Sequence, residues 1–438
     1  MTIDFEPRSF LIGLFQQAVG ATHPSRAVPR NLPKPPKGRT VVVGAGKAAA
    51  AMAKAVEDLW VEPLSGLVIT RYGHGTQCSH IEVVEAGHPV PDEKGQAAAG
   101  RILSLVSGLS ADDMVLCLIS GGGSSLLAVP APGITLEDKQ TVTRALLKSG
   151  APISEINCVR KHLSAIKGGR LALAAAPAEV VSLIISDVPG DDPATVASGP
   201  TVADPTTSAE AKAILKKYNI AVPDAVMRWL DDPASETPKP GHPALARVTN
   251  RIAANATDAL LAAASAAKAE NIDAVILGDA IEGEARIVAK EHAQKALACL
   301  MRGRPAKAPC VLLSGGETTV TVKGNGRGGR NCEYLLALAL ALDRAPGISA
   351  IACDTDGIDG TENNAGAFID TGTLERARDE GADPDAALEN NDAYTFFERV
   401  GDLITTGPTR TNVNDFRVIL ITESRLRIGG AGSGIRSY

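Results

Sequence analysis

From Thr40 onward the chain alternates short apolar runs with Ala-rich stretches of helical period. TVVVG, GLVIT, IEVVE, MVLCLI and VVSLIIS have strand length, and segments such as Lys47 to Leu59 and Leu163 to Ala176 separate them as helices. Continuous apolar strands between helices predict a mainly parallel sheet covered on both faces, a Rossmann-like lobe. Upstream, Pro29, Pro33, Pro35 and Pro36 crowd the approach to Thr40, so the chain passes from an N-terminal helix into its first strand through an extended arm. The segment DDPASETPKPGHP, Asp231 to Pro243, carries four prolines and no periodicity, which predicts a domain boundary near Pro243 and lobes of residues 1–243 and 244–438. Beyond it the pattern predicts a helix through Ala256 to Ala267, the strand AVILG, a long helix from Gly283 to Met301, and then CVLLSGG, TTVTVK and SAIACD. This second lobe is a mixed α/β domain, and the alternation in TTVTVK predicts an antiparallel strand with one face in solvent.

Composition narrows the function. A length of 438 residues suits two hydrophobic cores, and 45% hydrophobic with 21% charged residues excludes disorder as the main reading. Lys and Arg total 44 against 50 acids, a formal charge of −6, with no run of bases to track a phosphate backbone. Aromatics are 3%, too few for base-stacking platforms, so nucleic acid is not expected and small polar substrates are. Cys78, Cys117, Cys158, Cys299, Cys310, Cys332 and Cys353 are scattered and never spaced as CxxC, which reads as reduced and structural. The apolar patch Phe10 to Phe15 is too short to span a bilayer and lacks a basic flank, so a membrane role and an export signal are not expected, and the cytoplasm is.

Glycine-rich turns follow the strands. TVVVG runs into Gly44, Ala45, Gly46 and Lys47, a GxGxxA at a strand-to-helix turn. That matches a dinucleotide fingerprint, yet the next strand ends in Arg71 where a ribose-binding acid belongs, and on the glycines alone a tight packing turn is favoured. Lys47 shifts the balance, because a cation in a helix's first turn opposes the macrodipole and calls for an anion, a phosphate by nature. MVLCLI ends in Ser120, Gly121, Gly122, Gly123, Ser124 and Ser125, whose backbone amides can converge on an anion without Cβ obstruction. In the second lobe Ser314, Gly315, Gly316, Glu317 and Thr318 echo that loop, and Gly326, Arg327, Gly328, Gly329 and Arg330 follow before an Ala/Leu helix.

Charged clusters complete the inventory. Asn157, Arg160, Lys161 and His162, then Lys167, Gly168, Gly169 and Arg170, form the densest basic stretch and suggest a carboxylate or phosphate subsite. Asp187 follows VVSLIIS, where open α/β sheets place ligands. SAIACD delivers Asp354, Asp356 and Asp359 within six residues, a pattern that suggests Mg²⁺. It is no EF-hand, because Asp359 and Ala365 stand where that loop needs its turn glycine and its bidentate Glu. For Asp359 the competing reading is an Asx-rich turn.

Together VVVGAGKAAAAM, SGGGSSLL, NCVRKHLSAIKGGRLA, SDVPGDDPATVASGPT, SGGETTVTVKGNGRGGRN and DTDGIDGTENNAG resemble the glycerate 2-kinase family with a C-terminal MOFRL domain, here about residues 308–420. The resemblance implies ATP-dependent phosphorylation of D-glycerate to 2-phosphoglycerate with Mg²⁺, in a cleft between the lobes, and a homodimer. Members have also carried the label hydroxypyruvate reductase, which keeps an NAD(P)H-dependent reductase as the alternative. Lys47 and Arg330 match the lysine and arginine that the family places at its active site. Beyond the resemblance, Ser120 to Ser124 and Gly315 to Glu317, with Gly328 and Gly329, are expected to bind phosphates. Asn157, Arg160 and Lys161 are expected to hold the glycerate carboxylate. Asp187 or Asp356 is expected to orient or deprotonate the C2 hydroxyl, and Asp354 with Asp356 to hold metal.

Overall fold

The computed structural model describes residues 6–422; residues 1–5 and 423–438, the latter assigned to the second lobe by sequence, lie outside the described residues. Two six-stranded sheets organise the chain. The first contains β1 (Thr40–Ala45), β2 (Leu64–Arg71), β3 (Ile81–Ala86), β4 (Met114–Ser120), β5 (Glu179–Ile185) and β6 (Val248–Ala254). Their order is β3-β2-β1-β4-β5-β6, with every neighbouring pair parallel. Every residue of β1 and β4 is buried, which is why these strands read as unbroken apolar runs. Strand order reverses between β1 and β4, the switch point at whose carboxyl ends open α/β sheets form a ligand crevice.

The second sheet is mixed. It comprises β7 (Asp273–Gly278), β9 (Cys310–Gly316), β11 (Ile348–Asp354), β12 (Gly366–Ile369), β13 (Leu403–Ile404) and β14 (Asp415–Ile421), in the order β13-β12-β11-β14-β9-β7. Only β7 and β9 run parallel; the other neighbours are antiparallel. In register, Asp415 at the start of β14 stands between Gly316 of β9 and Asp354 of β11. A separate two-residue parallel bridge joins β8 (Gly283–Glu284) to β10 (Thr318–Thr319).

A parallel sheet beside a mixed one is the predicted architecture, but four local expectations are corrected. β6 extends the first sheet past Pro243; its polar edge-strand sequence VTNRIAA and its proline-rich approach hide it. TTVTVK is no antiparallel strand, since only Thr318 and Thr319 pair, and in parallel. The stretch from Leu163 to Ala176 is not one helix: the helix Ile153–His162 ends, Gly168 and Gly169 turn with φ of 58° and 82°, and Arg170–Ala175 begins anew. The N-terminal helix Pro7–Thr22, assigned by sequence to the first lobe, packs on the helix Ala256–Ala269 and on β11 and β14. Its buried Leu11, Leu14, Phe15 and Ala18 fall on one helical face. Phe15 meets Phe416, ring centroids 5.7 Å apart, and Arg8 pairs with Asp402 at 3.2 Å. Through this helix a single apolar cluster runs from Val42 and Leu118 to Leu313 and Val418.

Candidate active site

At the crevice the turns after β1 and β4 are knitted together. Lys47 N donates to Gly121 O at 2.8 Å, and Ala48 N donates to Ser120 Oγ at 2.9 Å. Gly46 has φ of 142°, and a Cβ there would overlap Ser120 Oγ. A Cβ on Gly44 would overlap Leu118 O, and one on Gly121 would overlap Asp187 Oδ2. The glycines therefore let two loops and one carboxylate converge, and Lys47 projects from the result just before the helix Ala49–Glu57.

The anion that Lys47 requires comes from the other lobe. Its Nζ lies 2.5 Å from Asp356 Oδ2, and Asp356 N donates to Asp354 Oδ1 at 3.0 Å. Asp354 Oδ2 accepts from Arg330 Nη2 at 2.8 Å, while Arg330 Nε donates to Asp415 Oδ1 at 2.7 Å and Nη1 lies 3.5 Å from Glu317 Oε1. Asp415 also pairs with buried Arg417 and accepts from Asn331 Nδ2 at 2.9 Å. Asp187 stands on the first-lobe side, bonded through Oδ2 to Asn412 Nδ2 at 2.8 Å and through its carbonyl to Asn414. Lys47, Arg330, Asp187, Asp354, Asp356 and Asp415 thus form one charged constellation across the interlobe crevice.

Burial alone would depress Lys47, but Asp356, Asp354 and Asp187 outweigh it and raise its pKa. Arg330 is likewise raised against burial by Asp415, Asp354 and Glu317. Burial and the neighbouring Asp356 hold the Asp354 carboxyl well above the usual range, despite Arg330 and Lys47. For Asp356 burial is outweighed by Lys47, and its pKa falls. Asp187 is pushed up to about 6, by burial first, with Glu317 adding to it and Lys47 opposing. A carboxyl near neutrality beside fixed cations is what a proton-accepting group requires.

The other expected residues are engaged mainly with protein. Ser120 is wholly buried and spends its hydroxyl on the Ala48 amide, so it does not face a ligand. A Cβ on Gly316, which has φ of 118°, would overlap the Ile281 backbone, so this glycine serves backbone packing, and Gly315 O accepts from Ile281 N at 3.1 Å. A Cβ on Gly329 would overlap Asp359, whose carboxylate accepts from Asn331 N at 3.0 Å and Cys332 N at 2.9 Å, so Gly328 and Gly329 admit the cap of the helix Arg330–Leu342. Lys161 pairs with buried Asp204 at 3.4 Å, and Asn157 accepts from Ser198 Oγ at 3.5 Å; neither contact involves the charged constellation. Arg160 faces a separate cavity with Lys139 and Lys167, beside Gly122 and Ser124. Gly123 packs against Ala45 O and Ala197.

Among the described residues no group of three His, Cys, Asp or Glu converges as a metal cage. The reading from sequence misses Asp415, Asn412, Asn414, His88 and Lys139. A signal existed for three of them: TNVND places polar residues directly before an apolar strand, as SGGGSS does directly after one.

Comparison with known proteins agrees with this architecture. Residues 10–231 match the model described as "Domain of unknown function (DUF4147)", and residues 310–415 match the MOFRL family. A protein of Agrobacterium vitis named "Putative hydroxypyruvate reductase" is 55% identical over 95% of each chain. D-glycerate 2-kinase of Thermotoga maritima is 42% identical over 95% of this chain and all of its own, and Glycerate 2-kinase of Pyrococcus horikoshii is 42% identical over 89% of each. The crystal structure of glycerate kinase from Thermotoga maritima superposes with a TM-score of 0.87 at 42% identity, covering 95% of this chain and 99% of that one. With both lobes matched and relatives aligned along nearly its whole length, the chain belongs to the glycerate 2-kinase family that carries a C-terminal MOFRL domain.

Proposed function

We propose that this protein transfers the γ-phosphoryl group of ATP to the 2-hydroxyl of D-glycerate, giving 2-phosphoglycerate and ADP. The observation that carries the reading is the pairing of Lys47 with Asp356 across the crevice, with Arg330 held on the adjoining carboxylates. Two cations fixed at one point, next to a carboxyl titrating near 6, supply what a loose phosphoryl transition state needs: positive charge around the transferred group and an acceptor for the hydroxyl proton. Asp187, oriented by Asn412, takes the C2 hydroxyl proton as that oxygen bonds to the γ-phosphorus. The bond from phosphorus to the β–γ bridging oxygen breaks, and ADP leaves. Lys47 and Arg330 offset the charge on the transferring oxygens, while Asp356 and Asp415 keep the two cations in place.

The crevice has an excess of acids, Asp187, Glu317, Asp354, Asp356 and Asp415, over the cations Lys47, Arg330 and Arg417, and burial strains Asp354 toward protonation. That donor set fits magnesium delivered with the nucleotide, since Mg²⁺ commonly takes one or two carboxylates together with substrate phosphates. Asp354 and Asp356 would hold it, and it would neutralise charge on the β- and γ-phosphates.

The reductase reading loses its dinucleotide turn. Gly44 and Gly46 lie against Leu118 and Ser120 of the neighbouring strand, and the turn's Gly46 and Lys47 amides donate to Ile69 O and Gly121 O rather than being free for a pyrophosphate. No helix among the described residues is long and apolar enough to cross a membrane, and ATP chemistry suits the cytoplasm. Incubation with glycerate, ATP and Mg²⁺, with the product resolved by phosphorus NMR, is expected to yield 2-phosphoglycerate. Turnover of hydroxypyruvate with NADPH, and none of glycerate with ATP, would overturn the reading.

A further inference from the structure

A cavity of about 440 Å³ opens beside the crevice, and the charged constellation does not use it. One wall is a single face of the helix Leu136–Lys148: Leu136, Lys139, Gln140, Thr143, Arg144 and Leu147 recur at helical spacing. The opposite wall is His88 to Pro91, latched to that helix by Gln140 Nε2, which donates to Pro91 O at 3.0 Å. Arg160 and Lys167 close the floor, and the lining contains no Asp or Glu. Lys167 is spoken for: its Nζ donates to Ser124 O at 2.7 Å and props the glycine loop. Lys139 is not. It is 7% exposed, and its Nζ is buried with no hydrogen-bond partner.

An unpartnered buried ammonium is costly, and Lys139 faces Arg160 and Lys167 rather than any carboxylate. Burial, then Arg160, drives its pKa down to about 7, and burial, Lys139 and Arg160 hold that of Lys167 well below its ordinary value. A multiply charged anion would relieve all three. The size of the cavity is that of sites for drug-sized ligands, far larger than a three-carbon acid needs. Its apolar part, Val90, Pro91, Leu136 and Leu147, has nothing to offer a carboxylate and suits a flat base. The cavity also leads to the reacting centre: a Cβ on Gly122, in its lining, would lie 2.9 Å from His88 Nε2 and 3.3 Å from Lys47 Cγ.

We propose that this cavity is the nucleotide subsite, with Lys139 and Arg160 taking the polyphosphate of a nucleoside triphosphate and the apolar wall taking its base, so that the terminal phosphate points past Gly122 toward Lys47. The assignment rests on the kinase reading and leaves the acid to the side of the crevice nearer Asp187. The test is calorimetric titration of the full chain with the magnesium complex of a non-hydrolysable ATP analogue, alongside steady-state kinetics. Lys139→Met, which replaces an unpaired buried cation with an apolar group of similar length, is expected to weaken analogue binding at least tenfold, with glycerate KM within twofold and no loss of melting temperature. Thr143→Trp fills the cavity from a half-buried position without altering charge and is expected to weaken the analogue to a similar degree, so the proposal stays testable if the first variant folds poorly. Analogue affinity within twofold of wild type in folded variants overturns the assignment, and so does a selective rise in glycerate KM. Wild-type protein that binds the analogue at this cavity yet never phosphorylates glycerate would sink the kinase reading and leave the subsite standing.

Discussion

Replacing Asp187 by asparagine is expected to move activity and stability in opposite directions. Asp187→Asn keeps the side-chain volume and an oxygen able to accept from Asn412, but it removes the group assigned to take the glycerate proton. Loss of a positioned general base lowers kcat by about 10²- to 10⁴-fold. The same carboxyl burdens the fold, because burial and Glu317 hold it at about 6 against an ordinary 3.8. A carboxyl raised in the folded state favours folding while protonated, and that advantage is lost as pH climbs from the unfolded value through about 6. The gap corresponds to about 3 kcal/mol at pH 7. The side chain retains some solvent access, and screening trims the figure to about 2 kcal/mol. The variant should therefore melt a few degrees above wild type at pH 7.5 and match it at pH 4, while wild-type kcat/KM falls about tenfold per pH unit below pH 6. Coupled ADP-release assays and calorimetric melts at the two pH values measure both effects. Activity within tenfold of wild type, or a lower melting temperature at pH 7.5, would refute the assignment of Asp187.

Two further substitutions probe the cations. Lys47→Met leaves Asp356, 1% exposed, buried without its partner, and should cost about 3–5 kcal/mol in chemical denaturation. Adding Asp356→Asn should recover most of that stability while activity stays at least about 100-fold down; recovery of turnover in the double variant would contradict the proposed role of Lys47. Arg330→Lys offers one ammonium where a guanidinium now meets Asp354, Asp415 and Glu317, and kcat should fall at least about tenfold. Free guanidinium restoring rate to Arg330→Ala would support the role, and an unchanged kcat in Arg330→Lys would count against it.

Much of this site was legible because its residues are awkward locally. Lys47 and Arg330 each place a cation at the start of a helix, where it opposes the backbone dipole, and that conflict shows in one dimension. Asp187 follows a buried strand at the edge where α/β sheets gather ligands. Asp415 showed no such conflict: TNVND before an apolar strand marks it as polar, and the register against Gly316 and Asp354 is what places it in the site. The glycine loops read from sequence as anion cradles, and at three of their positions what comes close is protein: Asp187 at Gly121, Ile281 at Gly316, Asp359 at Gly329. Composition cannot distinguish a glycine that admits a phosphate from one that admits a neighbouring carboxylate. β6 escaped because an edge strand tolerates the polar residues of VTNRIAA, and the proline-rich segment before it resembles a boundary more than a detour.

The helix Pro7–Thr22 sets an order on the birth of the molecule. It leaves the ribosome well before its packing partners, the helix Ala256–Ala269, β11 and β14, whose residues emerge hundreds of positions later. During that interval Leu11, Leu14, Phe15 and Ala18 have no surface to cover them, and neither lobe can finish its core. Nascent chains halted before β14 should therefore display a sticky, protease-sensitive leading segment that full-length protein conceals. Clipping or tagging within Pro7–Thr22 should impair maturation of the second sheet, whose β11 and β14 it covers, as much as that of the first.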